Sequence, residues 1–254
     1  MDIPARRHHD GALPALTLAL IAIGFGGAPT ADAGGISLYE LGTADVGLAA
    51  AGFAARAQDA ATVYTNPAGM TRLSGSHLTG GLQALYGNQE LSVGPGATPA
   101  LGSGDGGHPI GWVPGGGLFY SHSLSPDLNL GIAVAGDFGS AVKYDSDWVG
   151  RYYVQEAKLL GASIVPSAAW RIDPQWSVGA GVVLMYGMLE HKVAVNNLAG
   201  SDGQLSIEDN TWGYGVRLGV LYQPTPSTRV GLTYNSQIKL DFRAPPEWSG
   251  TGPL

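Results

Sequence analysis

The 254-residue chain carries a formal net charge of −7, with 40 Gly, 16 Pro and no Cys. Charged residues make up 13%, about half the usual share of a soluble domain, and Gly is more than twice as frequent as usual. The missing Cys excludes a disulfide scaffold, thiolate metal sites and Cys nucleophiles; mild acidity without a basic stripe argues against a nucleic-acid partner.

Residues 1–10 contain Arg6 and Arg7, an apolar run follows from Ala12 to Gly27, and Ala31-Asp32-Ala33 precedes Gly34. A positive start, an apolar stretch and a small-x-small site predict a secretory signal peptide over residues 1–33. A membrane anchor is the competing reading. The run holds Pro14 and several Gly, and it is shorter than the ~20 residues of a spanning helix. Cleavage after Ala33 moves the charge from −7 to −6 and exports the protein.

From Ala44 to Ala61 good helix formers alternate with Gly, which predicts short helical pieces. They end at the turn signal Asn66-Pro67-Ala68-Gly69. After Ser76 the pattern becomes period two. Candidate strands are 77–87, 115–123, 128–138 and 157–171, followed by three runs of clean alternation. Trp176, Val178, Ala180, Val182, Leu184 and Tyr186 share one face, and Trp212, Tyr214, Val216, Leu218, Val220 and Tyr222 share another. In the last run Val230, Leu232, Tyr234, Ile238, Leu240 and Phe242 share a face.

Trp176 to Tyr186 and Trp212 to Tyr222 each span about ten steps, or roughly 33 Å of strand. At a tilt near 40° this is a height of about 25 Å, the apolar band of an outer-membrane barrel. Aromatics at both ends of the band are its girdles, a placement for which a soluble sandwich has no use. The gaps alternate between long (88–114, 139–156, 188–210) and short (124–127, 173–175, 223–227). Short turns on one side and long loops on the other fit a bacterial barrel in the outer membrane of a Gram-negative cell, bounded by lipid and lipopolysaccharide.

Four fragments carry a family resemblance: residues 34–70 (GGISLYELGTADVGLAAAGFAARAQDAATVYTNPAGM), 133–159 (AVAGDFGSAVKYDSDWVGRYYVQEAKL), 164–182 (IVPSAAWRIDPQWSVGAGV) and 226–239 (PSTRVGLTYNSQIK). In this order after a signal, the chain resembles the FadL/TodX family of outer-membrane transporters of long-chain fatty acids and other hydrophobic compounds. The resemblance implies an all-β fold: a transmembrane antiparallel β-barrel with an N-terminal helical hatch. Residues 34–76 are then the hatch (plug) and residues 77–254 a partial barrel. Seven strands are counted where the family resembles a fourteen-stranded closed design, so the N-terminal part of a longer protein is expected, a monomer when full length.

The resemblance also implies site residues. Asn66, Pro67, Ala68 and Gly69 match the hatch motif, and Gly136-Asp137-Phe138-Gly139 matches an inward kink of the third strand that opens the wall sideways. Gly34, Gly35 and Ile36, at the mature N-terminus, match the neighbourhood of the ligand, and Phe138 stands at the kink. Arg151 or Lys143 could meet a fatty-acid carboxylate; alternatively Arg151 pairs with a loop acid such as Asp145, Asp147 or Glu156. Arg217 is expected in the lumen, satisfying hatch carbonyls or acids.

His77, His108, His122 and His191 are scattered without metal-ligand spacing. Asp145, Asp147 and the 102–107 loop offer too few carboxylates for Ca²⁺. No nucleophile elbow or phosphate loop occurs. The expectation is therefore no enzyme, no cofactor and no metal, with a hydrophobic small molecule as cargo. A structural or adhesive barrel with surface loops is the alternative; a general porin conflicts with a plugged lumen.

Overall fold

A computed structural model of the chain describes Leu41 and residues 43–94, 104–197 and 200–250. The expected signal peptide and Ile36, with Gly34 and Gly35, lie outside the described residues. Among the described residues, two short helices, α1 (Thr43–Leu48) and α2 (Thr62–Thr65), and a 3₁₀ turn (Pro67–Arg72) precede the strands. The strands are β1 (Ser76–Tyr86), β2 (Trp112–Ser123), β3 (Leu128–Lys143), β4 (Glu156–Arg171), β5 (Trp176–Val195), β6 (Gly203–Thr225), β7 (Thr228–Asn235) and β8 (Glu247–Ser249).

Strands β1 to β7 pair with their neighbours in chain order, all antiparallel, and β8 returns to β6. The sheet curls around the N-terminal segment as a half-barrel. Its concave face carries small or polar residues such as Ser121, Gly131, Ala133, Ser163, Gly179 and Gly219. Its convex face carries large apolar ones, with Leu82 96% exposed and Leu232 71%. So wide an apolar surface marks contact with something other than water.

The core lies between segment and wall. Ala60, Ala61, Val63, Tyr64 and Met70 pack on Phe119, Ala133, Ala135, Val165, Ala169 and Val183. Small side chains on the inner face let the segment's backbone come close, which is why Gly and Ala recur there.

The aromatic spacing resolves into register. Trp176 stacks on Tyr222 at one level (centroids 4.3 Å apart) and Tyr186 tilts against Trp212 at the other (5.1 Å). Tyr86 and Trp112 add a third pair, 5.1 Å apart.

Several elements depart from the sequence expectation: β3 runs on to Lys143 rather than ending at 138, and the short β8 is added. The 188–210 gap is mostly strand: β5 and β6 continue as a hairpin to Val195↔Gly203. Cross-strand charges support this extension beyond the apolar band, with Lys158 2.9 Å from Glu190 and Lys192 3.2 Å from Glu208. Strand β7 ends at Asn235 rather than reaching Phe242, and the face shared by its apolar residues is broken. Ser236 takes over the ladder at Val216, its hydroxyl accepting from the Val216 N–H (2.9 Å). Ile238, Leu240 and Phe242 then turn inward onto the space left by Gly187, Gly213 and Gly215. Finally, the alanine-rich run is less helical than its propensities suggest, because Ala49 and Ala50 adopt positive φ (48° and 59°) and end α1.

Candidate functional site

The Asn-Pro-Ala-Gly motif sits inside the curl of the sheet rather than beside it. Asn66 is fully buried and caps the 3₁₀ turn, its side-chain oxygen accepting from the Ala68 N–H (3.0 Å) while Pro67 opens the turn. Its amide donates to the Ala54 carbonyl (2.6 Å) and across to the wall at Val220 (3.1 Å). One side chain thus ties the segment to itself and to β6. The wall leaves room for it at Gly179 and Gly219, which are cross-strand partners. A Cβ at Gly219 would stand 2.0 Å from Asn66 Oδ1, and one at Gly179 would stand 2.4 Å from the Ala68 nitrogen. Further ties anchor the segment near the short turns: Ser123 Oγ and Asn129 Nδ2 donate to the Leu73 carbonyl (2.9 and 3.2 Å).

Tyr64, one residue pair before the motif, reaches the opposite side. Its hydroxyl donates to Asp137 Oδ1 at 2.6 Å. Its ring meets Phe119 edge-on (centroids 6.1 Å apart) and carries the Arg217 guanidinium 3.9 Å above it. Arg217 Nη1 donates to the Tyr64 carbonyl and Nε to Asn235 Oδ1 (2.6 Å). Burial, reinforced by the Asp137 charge, pushes the Tyr64 phenol up, so the phenol keeps its proton. A cavity of ≈ 390 Å³ opens here, between Phe53, Tyr64, Asp137, Phe138, Val183, Met185, Arg217 and Ile238. It is apolar on most sides, with one cation and one carboxylate at its wall.

Asp137 is where the ladder slips. β3 and β4 pair Gly136 with Ala162 and then Phe138 with Gly161, leaving Asp137 without a cross-strand partner. The bulge turns Asp137 and Phe138 both inward; a Cβ on Gly161 would touch the Phe138 ring at 2.3 Å. At the same height the wall parts. β2 pairs with β1 from Trp112 to His122, but its pairing with β3 stops at Gly117↔Ala135. The resulting opening of ≈ 700 Å³ is lined by Gly80, Gly81, Leu82, Gly116, Leu118, Val134 and Gly136. Gly116 is irreplaceable in this geometry: φ is 154° and a Cβ would lie 2.3 Å from the Gly81 carbonyl oxygen.

Arg151 stands apart from this cavity, in the outer loops. Its Nε donates to Asp202 Oδ2 at 2.7 Å and Tyr152 donates to the same carboxylate (2.9 Å). The partner is therefore Asp202 rather than Asp145, Asp147 or Glu156. The Arg151 hydrogen bond holds the Asp202 carboxyl below its ordinary range. Lys143 lies within 3.9 Å of Glu156.

The structure brings Asp137, Phe138 and Arg217 to one cavity and Gly136 to the wall opening. Tyr64, Met185 and the glycines of β1 and β2 join them without having been singled out in the sequence. The run Pro114-Gly115-Gly116-Gly117 was a visible signal; Tyr64 was not, because its partner lies 73 positions away.

A curled antiparallel wall with an apolar convex face, aromatic pairs at two levels and a segment seated inside defines an outer-membrane β-barrel protein. Residues 25–249 match the family model described as outer membrane protein transport protein (OMPP1/FadL/TodX). The chain belongs to this family. It is similar to a long-chain fatty acid transport protein of Salmonella typhi, with 27% identity over 82% of this chain and 52% of that protein. Outer membrane protein P1 of Haemophilus influenzae is 24% identical over 84% of this chain and 55% of that protein. Among solved structures, a Pseudomonas aeruginosa FadL homologue shares the fold with a TM-score of 0.64 at 20% identity, over 81% of this chain and 53% of that one. The Ralstonia pickettii toluene transporter TbuX gives a TM-score of 0.51 at 21% identity, over 71% of this chain and 53% of that one. The chain spans about half the length of the curated relatives it matches.

Proposed function

We propose that this protein takes up hydrophobic molecules, long-chain fatty acids or aromatic hydrocarbons, across the outer membrane. Cargo enters the cavity beside Tyr64 and leaves sideways through the opening between β2 and β3. Residues 34–76 act as the plug that denies water a straight path, seated by Asn66, Pro67, Ala68 and Gly69. The convex apolar face meets lipid, with the aromatic pairs at the headgroup levels.

The observation that carries this reading is the coincidence of bulge and opening. The wall parts at Gly116 and Gly136, beside the place where Asp137 and Phe138 turn toward the cavity. Energetics favour a sideways exit. A molecule burying about 200 Å² of apolar surface is more stable out of water by about 5 kcal/mol, so it gains nothing by crossing an aqueous lumen. The relatives point to the cargo class, one being a long-chain fatty acid transport protein and another a toluene transporter.

The test is to fill the opening. A Cβ at Gly136 has no neighbour closer than 4.0 Å, so Gly136→Leu places bulk there without strain. Uptake of labelled oleate and toluene by cells expressing the variant should fall about ten-fold with the amount of protein in the membrane unchanged. Undiminished uptake of both would refute the sideways exit.

A further inference from the structure

The hydroxyl of Tyr64 has no packing duty that a phenylalanine could not perform. The ring meets Phe119 and lies beneath Arg217. Besides a polar contact with the Arg217 guanidinium, the oxygen reaches from the N-terminal segment to Asp137, the residue of β3 that has no cross-strand partner. A bulge residue free of the ladder is the part of a strand that moves most cheaply. Tying it to another element couples the two.

We infer that Tyr64 and Asp137 form a latch linking the seating of the plug to the shape of the β3 bulge. This rests on the uptake reading above and adds regulation to it. The other end of Tyr64 is fixed to the far side of the lumen, since Arg217 donates to its carbonyl and Thr233 donates to the carbonyl of Thr65 (3.1 Å). α2 therefore bridges β3, at the opening, to β6 and β7. With the latch closed, Tyr64 and Asp137 stand together in the lining of the cavity, next to Phe138. When cargo shifts α2, the hydrogen bond breaks, Asp137 and Phe138 are released, and the path from cavity to opening widens. The groups facing Asp137 from the packed elements are the Tyr64 phenol, the Arg217 guanidinium and the Ser163 hydroxyl.

Ser163, 1% exposed on β4 beside Asp137, provides a reporter, and the chain contains no other thiol. In Ser163→Cys protein in lipid vesicles, the rate of modification by a small maleimide measures how often this corner opens. Tyr64→Phe is expected to raise that rate about ten-fold, the worth of one hydrogen bond to a charged group. In protein that already carries Asp137→Ala, Tyr64→Phe should leave the rate unchanged, because there is no latch left to break. Equal acceleration in both backgrounds, or none in the native one, overturns the latch. These rates do not depend on the exit route: Gly136→Leu could leave uptake intact and refute the sideways exit while the latch stands.

Discussion

Asn66 and Gly219 make one interaction out of two residues 153 positions apart. Replacing Asn66 with Ala removes the side-chain partner of the half-buried Ala54 and Val220 carbonyls and of the buried Ala68 N–H. Unsatisfied buried groups and a lost cap together should cost about 3 kcal/mol. Gly219→Ala attacks the same seat from the wall by forcing a methyl against Asn66 Oδ1, an overpacking worth about 2 kcal/mol. Both variants should lower the urea midpoint for unfolding of the protein in detergent. Combined, they should cost clearly less than the sum, because alanine at 66 removes the atom that the new methyl strikes. Full additivity would show that the two residues do not share a site.

Among the elements, the β5–β6 hairpin and its flanking loop behave as an outer scaffold. Asp202 holds Arg151 and Tyr152 with a carboxyl whose affinity for protons is reduced in the folded state by the Arg151 hydrogen bond. A depressed carboxyl contributes stability that is present above its unfolded value, about pH 3.9, and lost as pH falls through the lower folded value. Asp202 should thus titrate below pH 3.9 when followed by carbon-13 NMR, and amide protection at Arg151 should persist at mildly acidic pH. Asp202→Ala should weaken that protection at every pH. An Asp202 titration at or above the ordinary carboxylate range would contradict the clamp.

The elements also show what the sequence makes legible. The convex face is apolar and exposed, so alternation and aromatic spacing reveal it and its aromatic pairs residue by residue. The concave face answers to an N-terminal segment that is remote in sequence. Gly179 and Gly219 look like mere absences of side chain until Ala68 and Asn66 are set against them. Strand β7 makes the same point in reverse: Ile238, Leu240 and Phe242 share parity with Val230, Leu232 and Tyr234, and nothing local marks the inward turn at Ser236. Gly136-Asp137-Phe138-Gly139 is legible through the family resemblance, and its two glycines are compatible with a weakened ladder. That Tyr64 meets it there follows from tertiary packing alone.

At the scale of the molecule, the proposed path runs from the cavity beside Arg217 past Phe138 to Gly136, where the pairing of β2 with β3 stops. The central claim is that cargo crosses the wall at that last point. Gly136→Cys gives a switchable version of the test, since the native chain has no thiol. Initial uptake of labelled oleate is measured before modification, after attachment of a bulky benzyl group through a methanethiosulfonate, and after its removal by reductant. The adduct should depress uptake about ten-fold and reduction should restore it; unchanged uptake with the thiol fully modified would rule out exit at Gly136.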